Sequence, residues 1–265
     1  NPIWRGLMTK IFQVFTYKIL TISIAAFISV NLIADNHMET PTFLPLEGFA
    51  CNYNRGKDVS DLNKVVAEWN EYADSTGIAY NAWLFTPYYY SEDQKADTIW
   101  IGVAPTWEGM MKAAETMTTE EGQNIQQKFD RVSECYDHTG WGLEIVRSSD
   151  TQGNGLATTQ WCTLNEGVTP DKVLAADKKM NDYYDKQNIN GGFSRWWPGS
   201  GIPSRFDADM LWVQTASSMA EWGREVDRLV NGGGNQVMSS IYGDLMSCKN
   251  REVFSVTALR VTQNN

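Results

Sequence analysis

The sequence predicts an α+β protein built from two tandem strand–helix–strand–strand–helix–strand units packed sheet to sheet. Three observations carry that reading. The motif Cys51-Asn-Tyr-Asn-Arg-Gly56 returns as Cys162-Thr-Leu-Asn-Glu-Gly167. Behind each copy runs an amphipathic helix in matching register, with Leu62, Val65, Trp69 and Ala73 answered by Val173, Ala176, Met180 and Tyr184. Farther on, Asp97-Thr-Ile-Trp-Ile101 is answered by Asp209-Met-Leu-Trp-Val213, and Cys135 by Cys248. A register held through helix, strand and cysteine alike, at a spacing of roughly 110 residues, marks an internal repeat.

The first residues stand apart from this fold. Lys10 and Lys18 precede an apolar run from Ile19 to Val30, and small residues near Ala34 offer a cleavage site, so 1–34 reads as a signal peptide with Met8 as the expected initiator. A retained N-terminal anchor is the alternative, because the run approaches the length of a membrane span. Residues 35–42, with His37 among them, read as a disordered N-terminal segment. On either reading the body is exported and is expected to be periplasmic or secreted.

The first unit, 43–149, opens with a strand over about 46–53 that ends in the turn Asn54-Arg-Gly56. Asp58 is placed to cap a helix whose Leu62, Val65, Val66, Trp69, Tyr72 and Ala73 recur three and four residues apart, which puts them on one face. Strands follow over 80–87 and 98–103. In the first of them Ala82, Leu84 and Thr86 alternate with Trp83 and Phe85, so both faces are apolar and both need a cover. Thr106 caps a second helical region, Thr118-Thr-Glu-Glu-Gly starts a further segment carrying Ile125 and Phe129, and a strand over 142–147 closes the unit.

After a polar connector over 148–154, the second unit, 155–265, repeats the plan. Thr169-Pro170 is a cap followed by a first-turn proline. A strand over 210–215, a helix over 218–230 bearing Met219, Trp222, Val226 and Leu229, a stop at Gly232-Gly-Gly234 and a strand over 253–261 complete it.

Four cysteines follow the leader, an even number in a compartment where disulfides persist. Three pairings are open, and the duplication favours Cys51 with Cys135 and Cys162 with Cys248. The strand order adds a separate argument. In a ferredoxin-like βαββαβ unit the first strand lies antiparallel beside the fourth, so a cysteine near the end of strand one meets one just before strand four. The net charge is −10, from 22 basic and 32 acidic residues, and it becomes more negative once Arg5, Lys10 and Lys18 leave with the leader. That balance opposes nucleic acid and anionic membrane surfaces as partners, leaving membrane contact only through a retained leader.

With the repeat, the strand order and the paired cysteines in view, the chain resembles the dimeric alpha-beta barrel superfamily, in the form with two ferredoxin-like units fused in one polypeptide. The resemblance covers about residue 43 to the end and rests on topology and duplication. Members include antibiotic-biosynthesis-type monooxygenases, EthD-like and NIPSNAP-like proteins, stress-responsive barrel proteins, chlorite dismutases and dye-decolorising peroxidases. It implies a cavity, either inside the barrel or between sheet and helices, and says nothing of its contents. Because both sheets come from one chain, a monomer is the simplest expectation, with a homodimer left open.

The chemistry-bearing residues are few. Of two histidines, His138 lies beside Cys135, and a haem reading would make it the proximal ligand. No nucleophile elbow, phosphate loop or two-residue cysteine spacing is present, so no metal and no cofactor is expected. Asp150-Thr-Gln-Gly-Asn-Gly155 lacks the closing acid of a calcium loop and reads as a linker turn. The aromatic clusters Trp83 with Tyr88 and Tyr90, and Trp196-Trp197, are the candidate ligand contacts. Arg195 and Arg205 flank the second cluster as candidate receivers of a carboxylate or phenolate, and Tyr80 and Asp97 occupy comparable positions in the first unit. The function expected is binding of a small apolar or aromatic molecule. A cofactor-independent monooxygenase-like oxidoreductase and an envelope protein-interaction module are the alternatives.

Overall fold

The computed structural model describes residues 42–149 and 153–262. The leader, His37 and residues 150–152 of the connector lie outside them. In chain order the elements are β1 (Phe43–Tyr53), α1 (Val59–Thr76), β2 (Asn81–Tyr89), β3 (Thr98–Val103), α2 (Trp107–Thr116), α3 (Glu120–Asp130), β4 (Ser133–Arg147), β5 (Gly155–Leu164), α4 (Pro170–Lys186), β6 (Gly192–Pro198), β7 (Met210–Ala216), α5 (Met219–Val230), α6 (Gly234–Tyr242) and β8 (Met246–Arg260).

The eight strands close into one antiparallel barrel in the order β1-β3-β2-β8-β5-β7-β6-β4. Strands β2-β3-β1-β4 and β8-β5-β7-β6 each have the ferredoxin-like order, and the two sheets join edge to edge through β2 with β8 and β4 with β6. Closure leaves no open strand edge. Inside, Leu46, Phe85, Ile101, Trp141, Leu143, Trp196, Val213 and Phe254 pack as a single core, which explains why the strands are apolar on both faces. Helices cover the outer face of each sheet.

Local signals take effect at the element ends. Asp58 accepts from the Ser60 amide at 2.8 Å, and Thr106, Thr119 and Ser218 cap their helices in the same way. Gly56 and Gly167 sit at φ 78° and 76°, a left-handed geometry that favours glycine, and this is why both copies of the motif end in it. Asp97 and Asp209 also do the same work, each accepting from a first-strand amide, Tyr53 at 2.9 Å and Leu164 at 2.8 Å.

The closing strands depart from expectation. β4 begins at Ser133 and β8 at Met246, so Cys135, His138 and Cys248 lie within strands rather than before them. The early part of each is polar and exposed, and the apolar alternation that reveals a strand begins only later. Both disulfides form as expected, Cys51–Cys135 and Cys162–Cys248, each joining directly paired residues of adjacent strands. They fit an extracellular or periplasmic location. Among the described residues no helix is long and apolar enough to cross a membrane.

Candidate functional site

The outward row of β1 is Glu47, Phe49 and Cys51. Glu47 is paired with Gly102 on β3 and Gly140 on β4, so neither neighbour puts a side chain beside it. Tyr80 uses that room. A Cβ at Gly102 would lie 1.6 Å from the Tyr80 hydroxyl, so the phenol can reach Glu47 only because residue 102 is glycine. Above this row, α2 contributes Ala113 and Ala114, and the small side chains leave space between helix and sheet. The result is a cavity of about 670 Å³ between the first sheet and α1, α2 and α3.

Its walls are mainly apolar: Leu62 and Trp69 of α1, Leu84, Trp100, Met117 and Phe129. Trp100 stands edge-on to Trp69, with centroids 5.2 Å apart and planes at 80°, and to Phe129 at 5.8 Å and 84°. One end is polar. The Tyr80 hydroxyl donates to Glu47 Oε1 at 2.7 Å, His138 Nε2 meets Glu47 Oε2 at 2.8 Å, and Trp100 Nε1 donates to the Tyr80 oxygen at 3.1 Å. Phe49 stacks on the His138 ring at 3.9 Å. Burial pushes the Tyr80 phenol well above its ordinary range, and the neighbouring Glu47 charge and the hydrogen bond to it push further the same way. Tyr80 therefore stays a neutral donor at physiological pH.

The second unit has filled the corresponding space. Only about 20 Å³ remains there, room for about one water. Thr158 stands where the first unit has Glu47, Arg251 where it has His138, and the Trp222 indole closes over Thr158 with a hydrogen bond of 3.0 Å. Tyr242 of α6 packs against Trp212 at 4.8 Å and hydrogen-bonds Asp177 at 2.8 Å. Asp177 belongs to a buried ionic cluster centred on Arg195, which binds Glu144 through Nε and Nη2, both at 3.0 Å, and Asp177 through Nη1 at 2.9 Å and Nη2 at 2.5 Å. Burial alone would raise the Glu144 carboxyl, but the Arg195 hydrogen bonds and charge, with a bond from Trp197, hold it below its usual value. In the filled space burial lifts the Glu225 carboxyl to about 7.

The aromatic candidates read from sequence are thereby dispersed. Trp83 and Trp196 face the barrel core. Tyr88 and Tyr90 are exposed. The Trp197 indole donates to Glu144 at 2.8 Å on the outer face. Arg195 is 1% exposed with its donors committed to two carboxylates, and Arg205 is an exposed partner of Asp137. None of these lines the large cavity, whereas Tyr80 and His138 do. Glu47 went unremarked in the sequence. The one signal that could have found it is its spacing, in phase with Phe49 and Cys51 on an otherwise apolar strand.

No family model matches the chain, and no curated protein matches its sequence. Solved structures do match in fold. A protein named as a candidate monooxygenase from Lactobacillus acidophilus NCFM superposes with a TM-score of 0.50 at 8% identity, over 83% of this chain and 95% of that one. The chain has the dimeric alpha-beta barrel fold. A haem-binding protein from Thermus thermophilus (TM-score 0.49, 10% identity, 82% and 92% covered) and a chlorite dismutase from Candidatus Nitrospira defluvii (0.49, 8%, 82% and 92%) are also similar to this alpha-beta barrel. At these identities the likeness is one of fold.

Proposed function

We propose that this alpha-beta barrel protein binds a small, largely apolar or aromatic molecule between its first sheet and α1–α3. The observation that carries the reading is the asymmetry of the two units: one keeps about 670 Å³ open with an ordered polar cluster at its end, and its sister has closed to about 20 Å³. The larger volume falls within the roughly 300–1,000 Å³ of small-molecule sites. The test is a ligand screen read by tryptophan fluorescence, since Trp69 and Trp100 line the walls. A hit should quench the wild type and lose at least tenfold in affinity in Ala113→Trp, which fills the cavity from α2. Unchanged affinity in that variant, with its melting transition intact, would place the ligand elsewhere.

Haem, bound by one of the fold neighbours, does not fit this cavity. Its two propionates need cations, yet the charged side chains of fixed sign on the walls are Glu47, Asp130 and Glu134. His138 turns Nε2 to Glu47, which leaves Nδ1, the nitrogen crowded by its own Cβ. Tyr80 is held as a neutral phenol, and Cys51 and Cys135 are locked in a disulfide.

A second reading, a cofactor-independent oxidoreductase, rests on the Glu47–His138 pair. An imidazole oriented by a carboxylate at the end of an apolar cavity is placed to take a proton from a bound phenol or quinol and leave an electron-rich anion for oxygen. Purified protein should then accelerate oxygen uptake with such substrates, and His138→Gln should abolish the increment. No acceleration across the panel removes this reading.

A further inference from the structure

The sign of the cavity's charge narrows the ligand class. Glu47, Asp130 and Glu134 line it, and no lysine or arginine does. Among the described residues none of the three is paired with a lysine or arginine; Glu47 is hydrogen-bonded to Tyr80 and His138, and Asp130 accepts from Gln126 at 2.8 Å. This contrasts with the buried carboxylates Glu144 of β4 and Asp177 of α4, both of which Arg195 answers.

Glu47 also has acceptor capacity left. An ionised carboxylate offers about four lone-pair sites, and Tyr80 and His138 take one on each oxygen. The side chain is 19% exposed; Tyr80 fills the room beside Gly102, but a Cβ at Gly140 would meet nothing nearer than Ser200 at 3.8 Å, so on that side the carboxylate can be approached without displacing a neighbour. Around the space stand Trp69, Trp100 and Phe129, with successive ring planes close to perpendicular, which gives the walls of an aromatic box. Aromatic faces and uncompensated carboxylates favour the same ligand, a cation with an apolar body.

We infer that the cavity selects an organic ammonium ion, whose charged nitrogen sits at Glu47 and whose apolar or aromatic body lies among Trp69, Trp100 and Phe129. This rests on the proposed ligand site and adds its charge preference. Three probes of one shape separate the two claims: 2-naphthylmethylamine, charged at neutral pH, 2-naphthylmethanol and 2-naphthoate, each titrated calorimetrically into the full chain. The amine is expected to bind at least tenfold tighter than the alcohol, and the naphthoate most weakly. Glu47→Gln should remove most of the amine's advantage while leaving the alcohol unchanged. Should Glu47→Gln melt early, Asp130→Asn/Glu134→Gln supplies a second variant, expected to weaken the amine alone. Equal binding of amine and alcohol, or tightest binding of the naphthoate, overturns the charge preference and leaves the site standing. No binding by any probe at millimolar concentration overturns both.

Discussion

Replacing Arg195 with methionine is expected to destabilise the protein by about 3–5 kcal/mol at neutral pH, the cost of leaving buried carboxylates without their cation. Arg195 is 1% exposed, Glu144 8% and Asp177 5%, so water cannot replace the guanidinium. The loss should depend on pH. In the wild type, Glu144 has its pKa lowered, so its contribution is complete above the unfolded-state value and is lost as pH falls through the folded one. In the variant burial still raises the Glu144 carboxyl and only the Trp197 hydrogen bond is left to oppose it, so protonation on acidification relieves the strain. The stability gap between the two proteins should therefore be widest near pH 7 and narrow toward pH 4, measured by urea denaturation across that range. Arg195→Met/Glu144→Gln/Asp177→Asn should recover part of the loss at pH 7. A gap that ignores pH would mean that Arg195 acts through its volume.

The two disulfides are expected to be equal for stability and unequal for binding. They close loops of 84 and 86 residues, for which the chain-entropy picture gives about 4–5 kcal/mol each. Cys51→Ala/Cys135→Ala and Cys162→Ala/Cys248→Ala should thus lose similar stability in urea. Only Cys51 and Cys135 form part of the open cavity's wall, where Cys162 packs into the filled second unit. Under conditions where both variants remain folded, ligand affinity should fall in the first and hold in the second. Equal losses of affinity would show that binding follows global stability and not the wall of this cavity.

The fold was legible because the chain states it twice. Asn54-Arg-Gly56 and Asn165-Glu-Gly167 are weak turn signals singly and a strong one as a pair, and the cysteine pattern agreed with the strand order. The starts of β4 and β8 were hidden because their outer residues meet solvent and carry no apolar alternation. The site was harder to read for a different reason. Sequence draws attention to bulky aromatics, but Trp83 and Trp196 are spent on filling the barrel and Arg195 on closing the second unit. What makes the cavity is the absence of bulk at Ala113 and Ala114, with Gly102 giving its room to Tyr80, and small residues announce nothing until the strands are in register. His138 and Tyr80 stood out by type; Glu47 joins them only through β1–β4 pairing.

Which space holds the ligand can be read directly from a brominated aryl-methylammonium soaked into crystals, through its anomalous signal. The bromine peak is predicted between the first sheet and α1–α3, beside Trp69, Trp100 and Phe129, with the ammonium reaching Glu47. A peak in the barrel interior, in the second unit beside Trp222, or on the exposed tyrosines at 88–90, with the first-unit cavity empty, would contradict it.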